Sequence, residues 1–80
     1  MDRKANADEV RAHASAIQEA AGRLGLDQVR LRADGTVVVH SAEPGYRSVI
    51  RLSASASQAV GTYVHVITDD VPGAADTGEL

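Results

Sequence analysis

The chain has 80 residues and a net charge of −3; it contains no Cys, Phe or Trp, and its aromatic residues are two Tyr. A chain of this length forms one domain and buries about 60–65% of its unfolded surface. Because the core has to be built from Val, Ile, Leu and Ala, we expect it to be thin and to gain stability from a homodimer or a protein partner. The lack of Cys excludes disulfides and thiolate zinc sites, and the charge argues against nucleic-acid binding by the whole surface.

The sequence also bears on localisation. No apolar run approaches the roughly 20 residues that a membrane helix needs. Residues 1–4 are polar and lead into no apolar segment of the kind found in secretion signals. We therefore expect a cytoplasmic protein without membrane contact.

The first predicted element is an amphipathic helix over residues 7–24. Asn6 and Glu9 have the spacing of a capping box, and Gly25 is suited to end the helix. Three apolar residues recur every seven positions on one face: Val10, Ile17 and Leu24. This period predicts a helix that packs on a sheet, while residues 1–5 are expected to be frayed.

Residues 29–40 predict a β-hairpin around Asp34-Gly35, for which two registers are open. A two-residue loop would pair Arg32 with Val37 and Arg30 with Val39, which mixes charged and apolar side chains on one face of the hairpin. A three-residue loop over residues 33–35 pairs Leu31 with Val37 and Val29 with Val39, which separates apolar from charged side chains. We favour the second register because a half-buried sheet needs one apolar face.

The remaining segments complete an α+β domain over residues 1–70. We expect a turn over residues 43–46, a third strand over 47–52, a short helix over 54–60 between Ser53 and Gly61, and a last strand over 62–68. The helical connection would allow the last strand to run parallel to the first. The predicted architecture is a two-layer sandwich in which one long helix packs on a four-stranded, mostly antiparallel sheet, in the order α-β-β-β-(α)-β. Residues 71–80 are expected to be a flexible acidic tail.

The favoured register collects a set of candidate binding residues on the sheet face away from the long helix. They are Arg30, Arg32, His40, Arg47, Arg51, Tyr63 and His65. Guanidinium groups beside Tyr suit a phosphate, a nucleic-acid strand or an acidic segment of a partner. The alternative is that these side chains are simply solvated. Val38, Val49 and Ile67 share the predicted face, which favours a protein interface.

No motif predicts catalysis or a bound cofactor. His13, His40 and His65 come from different elements and lack metal-ligand spacing, so we expect no metal site. Ser53, Ser55 and Ser57 lack a nucleophile-elbow sequence, and small polar residues near a helix start are usually caps. We therefore expect a protein that is not an enzyme and has no cofactor.

Two segments resemble the minimal nucleotidyltransferase domains of bacterial toxin–antitoxin systems, which pair with toxins or act as antitoxins. Residues 59–70, AVGTYVHVITDD, are similar to the last helix-to-strand passage of that family, and residues 24–31, LGLDQVRL, to its first strand. The family's catalytic core has a Gly-Ser turn and an Asp-x-Asp pair that holds magnesium. Here the turn is residues 33–35, no Asp-x-Asp follows, and His65 occupies the place of a third carboxylate. The resemblance therefore implies a catalytically inactive relative.

Three hypotheses for function follow from the sequence. The leading one is a small non-enzymatic, regulatory protein-binding module, antitoxin-like, that acts through a homodimer or a heterocomplex. The second is binding of a nucleic acid or a phosphate ligand on the Arg-rich sheet face, and it is less favoured. The third is residual magnesium-dependent nucleotidyl transfer.

Overall fold

The structure, a computed structural model, describes residues 4–41, 47–70 and 77–80. Within these ranges the elements are α1 (Ala7–Ala12), α2 (Ala14–Arg23), β1 (Leu26–Arg32), β2 (Val37–Ser41), α3 (Arg47–Val60), β3 (Val66–Thr68) and β4 (Thr77–Glu79). The α+β class is confirmed. The expected turn over 43–46, the fraying of residues 1–3 and the tail over 71–76 lie outside the described residues.

The predicted N-terminal helix is divided at His13. The capping box is present: the Asn6 side chain accepts the amide of Glu9 at 2.9 Å, and the Glu9 carboxylate accepts the amide of Asn6 at 3.1 Å. His13 leaves the helical conformation, with φ −117° and ψ 26°. Its ring Nδ1 lies 3.1 Å from the Glu9 carbonyl oxygen, the group that the His13 amide would bond in a continuous helix. The single long helix was therefore wrong, because this side chain competes with the helical hydrogen bond.

The hairpin has the three-residue loop that the sequence favours. Leu31 pairs with Val37, the Arg32 amide donates to the Thr36 carbonyl, and Gly35 has φ +92°. Further along, the predicted pairing of Val29 with Val39 is wrong. Gln28 has φ +51°, and the register shifts between Asp27 and Arg30. This β-bulge adds a residue to β1 and returns Leu26 to the core face, where it is 4% exposed.

Residues 47–52, predicted as a strand, form the first half of α3. Their apolar residues also fit a helical period, since Val49, Leu52 and Ala56 are all buried and follow one another at three- and four-residue steps. Ile50, which an alternating strand would place beside Leu52, is exposed instead. Ser53 therefore lies inside the helix and does not cap it. Gly61, with φ +92°, follows the helix end as expected.

The described residues form a mixed sheet with the strand order β3-β2-β1-β4. The antiparallel hairpin of β1 and β2 is its centre, and α3 connects β2 to β3, which run parallel. The last predicted strand is therefore parallel to the second strand, not to the first. The part of the chain that the structure describes contains four strands, but the fourth is β4, which pairs with β1 within the segment predicted as a flexible tail. A short strand at the chain end thus replaces the predicted strand at 47–52.

The core lies between the helices and one sheet face. Its fully buried members share small or branched aliphatic side chains: Ala5, Val10, Ile17, Ala21, Val37, Val39, Leu52 and Val64. Leu24, expected in the core, packs at its margin together with Leu80. The apolar composition of this core agrees with the helix seam predicted from Val10 and Ile17.

The segment before α1 is held against the hairpin tip. Lys4 donates to the Thr36 hydroxyl at 2.7 Å and lies 3.3 Å from the Asp34 carboxylate. The amide of Ala5 donates to the Tyr63 carbonyl at 2.7 Å, and Ala5 is fully buried. The fraying expected for residues 4 and 5 was therefore wrong, because their contacts come from residues distant in sequence.

The hairpin loop depends on the ionised carboxylate of Asp34. Its Oδ1 accepts the Thr36 amide at 3.0 Å. This backbone hydrogen bond, aided by the Thr36 hydroxyl and by Lys4, lowers the pKa of Asp34 from 3.8 to about 2, against a smaller opposing effect of desolvation. The charge of this carboxylate thus stabilises both the turn and its contact with the N-terminal segment.

Candidate partner-binding site

The structure divides the predicted set of binding residues between two layers of the fold. Side chains alternate across the sheet, and Val37 and Val39 face the helices. By the same alternation five of the seven residues belong to the opposite face: Arg30, Arg32, His40, Tyr63 and His65. Arg47 and Arg51 lie elsewhere, exposed on α3. Their placement on the sheet face was wrong because residues 47–52 are helical.

The charges that remain on the sheet face are partly neutralised. His40 Nδ1 lies 3.0 Å from the Asp69 carboxylate, and Arg32 Nε lies 4.0 Å from that of Asp34. Arg30 has no ion pair with another described residue. Val38, at the centre of this face, is 1% exposed. The face is therefore neither strongly basic nor open at its centre, which weakens the case for an anion-binding surface.

Arg51, another of the predicted binding residues, lines a shallow depression between α2 and α3. The depression has a volume of ≈ 320 Å³, and Arg23, Leu24 and Ala54 contribute to its walls. Arg23 is already paired with Glu19 on its own helix. Arg51 is thus a solvated side chain of α3 beside a small apolar depression, and it does not belong to the sheet face.

A second opening in the described residues is a mainly apolar groove between α3 and β3, which we call the α3–β3 groove. It has a volume of ≈ 380 Å³ and is lined by Val49, Ile50, Ser53, Ala54, Ser57, Tyr63, His65 and Val66. Ile50 is 66% exposed and Tyr63 is 45% exposed, more than any other large hydrophobic side chain described. Two large apolar groups therefore border this groove without being covered.

Tyr63 and His65, both in the predicted set, contact each other beside this groove. The Tyr63 hydroxyl lies 3.0 Å from His65 Nδ1, and the ring centroids are 6.0 Å apart. The residues are two apart in an extended segment, so their side chains share one side of the chain. The hydrogen bond fixes the orientation of the Tyr63 ring and leaves its apolar face available.

Two serines join α3 to the segment before β3. Ser57 Oγ accepts the Val64 amide at 2.9 Å, and Ser53 Oγ donates to the Val64 carbonyl at 2.6 Å. Ser57 also donates to the Ser53 carbonyl at 2.6 Å. The two hydroxyls thus satisfy both backbone groups of a fully buried residue. The structural role expected for these serines is correct in kind, although neither residue is a cap.

Beyond Val64, the outer edge of β3 has no described strand beside it, because β3 ends the strand order. The parallel ladder shows which groups point outward. The His65 carbonyl accepts the Val37 amide, and the Asp69 backbone amide donates to the Val39 carbonyl, both at 2.9 Å. Backbone groups alternate sides along a strand, so Val66 and Thr68 direct theirs away from β2. Val66 and Thr68 are 7% and 8% exposed, and their two N–H and two C=O groups beside the α3–β3 groove pair with no described strand. We call this segment the open edge.

Three residues of the site were not predicted from the sequence. Ile50, Ser53 and Ser57 became recognisable only with residues 47–60 assigned to one helix, where the serines are four residues apart and face the same side. The four-residue spacing of Ser53 and Ser57, together with the helical spacing of the buried residues of α3, was the pattern in the sequence that could have identified them.

The described residues contain no group of three or more His, Asp or Glu that could hold a metal ion, and the three histidines lie in separate places. No helix in those ranges is long and apolar enough to cross a membrane. No protein-family model, curated protein or solved structure matches the chain, so its function has to be inferred from its own geometry.

Proposed function

We propose that this protein is a non-enzymatic binding module that engages a protein segment at the α3–β3 groove and the adjacent open edge. The observation that carries the proposal is the exposure of Ile50 and Tyr63 on the border of one apolar groove. Exposed apolar side chains that cluster beside a groove are typical of contact sites, whereas scattered single ones are common on any surface. Tyr in particular is enriched at protein interfaces, where its ring is buried and its hydroxyl remains hydrogen-bonded.

An extended segment is the shape that suits this surface. The open edge offers backbone donors and acceptors at Val66 and Thr68, while the groove beside it accepts side chains. Strand addition uses the same division of roles, because main-chain hydrogen bonds supply affinity and alternate side chains supply specificity. A partner with a large apolar side chain at every second position would satisfy both features.

The polar groups of the groove support binding over catalysis. The hydroxyls of Ser53 and Ser57 are engaged with the backbone of Val64, and the His65 ring faces the Tyr63 hydroxyl. A nucleophile needs a base within hydrogen-bond reach. Neither serine has an imidazole or carboxylate as its hydrogen-bond partner among the described residues.

Selection of peptides from a random library displayed on phage tests the proposal. We expect enriched peptides with alternating apolar residues, whose affinity falls at least about tenfold, or ~1.4 kcal/mol, with Ile50→Asp. Gln58→Asp is the matched control, since Gln58 is exposed on the same helix but does not line the groove. Peptides that bind both variants equally would overturn the proposal.

Amide chemical-shift mapping with a selected peptide locates the contact. The proposal expects the largest changes at residues 49–54 and 63–68. Changes confined to Arg30, Arg32 and His40 would instead favour the sheet face and a charged ligand.

An antitoxin-like role is the specific form of this function that the resemblance of residues 59–70 suggests. It expects this chain to restore growth to cells that express a toxic product of an adjacent gene. The Ile50→Asp variant should fail to do so while the Gln58→Asp variant succeeds. If both variants restored growth equally, the α3–β3 groove would not be the surface that carries an antitoxin-like role.

A further inference from the structure

We infer that the open edge pairs with the same edge of a second copy, as an antiparallel ladder around a two-fold axis at Ile67. The inference rests on the proposed function and names the segment that occupies the edge. Closed two-fold pairing is the commonest symmetry of soluble homo-oligomers and requires a self-complementary surface.

The directions of the backbone groups fix the register of this ladder. Val66 and Thr68 are the residues that direct their N–H and C=O groups outward. In an antiparallel pair, opposed residues exchange both hydrogen bonds at alternate positions. Only with Val66 of one copy opposite Thr68 of the second do the outward groups of both residues all pair within the edge, and Ile67 then lies opposite Ile67.

The next position outward places an imidazole opposite a carboxylate. In this register His65 lies opposite Asp69 of the second copy, and by symmetry the pair occurs twice. His65 Nε2 and the Asp69 oxygen that does not face His40 are the atoms available for this contact. Both residues belong to the sheet face away from the helices, where alternation also places Ile67. Cross-strand pairs of an acid with a base and of two β-branched residues both stabilise antiparallel sheets. The sequence His65-Val-Ile-Thr-Asp69 is thus complementary to itself when reversed.

The ladder has a defined end. Val64 would be the next residue to direct its groups outward, but the hydroxyls of Ser53 and Ser57 already satisfy them. Pairing beyond His65 would break those hydrogen bonds. A partner of the same short length therefore fits better than a long foreign strand, and the second copy is such a partner.

The apolar groups beside the edge gain cover in this arrangement. A two-fold axis perpendicular to the sheet places both copies of α3 on the same side. Ile50, which borders the groove next to His65 and Val66, then approaches the second copy. Because five residues a side make a small interface, we expect a dissociation constant of about 1 µM to 1 mM.

Sedimentation velocity over that concentration range tests the pairing. The wild type should shift from its 8.3 kDa monomer towards twice that mass. Thr68→Pro removes one outward N–H without touching the bonds to β2, so this variant should remain monomeric. Thr68→Val is the matched control, because it keeps the N–H and should dimerise like the wild type. A monomeric wild type, or a Thr68→Pro dimer as strong as the wild type, would overturn the inference.

A charge series at position 65 tests the register independently. His65→Lys should tighten the dimer severalfold at low salt, whereas His65→Glu, placed opposite Asp69, should weaken it by a similar factor. Equal dimerisation of the two variants would reject this register. A wild type that stays monomeric but still binds selected peptides through Ile50 would refute the dimer and leave the proposed function standing.

Discussion

The hydroxyl of Ser57 accepts a hydrogen bond from the backbone amide of Val64, a residue that is fully buried between α3 and the sheet. At Val64, the Ser57 side chain of α3 thereby supplies the hydrogen bond that a neighbouring strand would otherwise supply at the outer edge of β3. The contact ties the groove wall to the strand that forms its other side.

Replacing Ser57 by Ala should destabilise the fold by about 1–2 kcal/mol, because the Val64 amide would lose its partner in a site without solvent. Urea denaturation measures the loss. Ser55→Ala is the control, since the Ser55 side chain is exposed and has no hydrogen bond to a described residue; its effect should lie within about 0.5 kcal/mol of zero. Equal effects of the two substitutions would contradict the role of Ser57.

Gly35→Ala should be among the most destabilising single substitutions in the loops. An added Cβ would lie 2.2 Å from the Ala5 carbonyl oxygen, and φ at this position is +92°. The left-handed conformation alone costs about 1–2 kcal/mol, and the clash with backbone adds to it. Gly25→Ala shares the positive φ but meets no atom within 4 Å. Thermal unfolding should therefore show a larger loss for Gly35→Ala than for Gly25→Ala.

Acid should weaken the fold in part through Asp34. Its pKa is about 2 in the folded protein, below the ordinary 3.8. A carboxyl whose pKa is depressed by folding stabilises the protein above its ordinary pKa, and this stabilisation is lost as the pH falls towards the folded value. The free energy of unfolding should thus decline more steeply between pH 4 and pH 2 in the wild type than in Asp34→Asn. If the free energy of unfolding fell equally with pH in the wild type and in Asp34→Asn, Asp34 would not contribute to the loss of stability in acid.

The two sides of α3 should respond differently to truncation. Leu52 is fully buried, so Leu52→Ala should cost about 2–5 kcal/mol. Ile50 is 66% exposed, and Ile50→Ala should change the stability of the monomer by less than about 1 kcal/mol. Denaturation at low protein concentration compares them. A large loss for both would fit the alternating strand that the sequence first suggested, and would contradict the helix.

Local signals in the sequence predicted the features that depend on few neighbours. The reciprocal hydrogen bonds of Asn6 and Glu9, the loop at Gly35 and the stop at Gly61 follow from side-chain chemistry and backbone freedom at single positions. Such features were correct because no distant residue decides them.

The sequence could not decide between strand and helix at residues 47–52. A segment of six residues containing Val49, Ile50 and Leu52 satisfies a period of two as well as a helical period. The later members of the same seam, Ala56 and Val60, would have resolved it had the segment been extended across Ser53. Treating Ser53 as a cap divided one helix into two elements.

The candidate site was predicted in part for a related reason. His65 and Tyr63 were identified from the last strand, whereas Ile50 and the serines depend on how α3 lies against it. The bulge at Gln28 and the pairing of β4 with β1 likewise arise from tertiary contacts. No periodicity in the sequence encodes them.

The hydrogen bond from Ala5 to Tyr63 joins residues separated by most of the chain, and Gly35 closes against the same segment. Such a contact adds little to the early stages of folding. The loop that it closes is long, and the entropy lost on closing it is not yet offset by packing contacts at that stage. The N-terminal segment should therefore attach after the hairpin and α3 have met. Protection of this segment from hydrogen exchange would mark the completion of folding. An N-terminal fusion must leave residues 4–6 free to reach Tyr63 and Gly35.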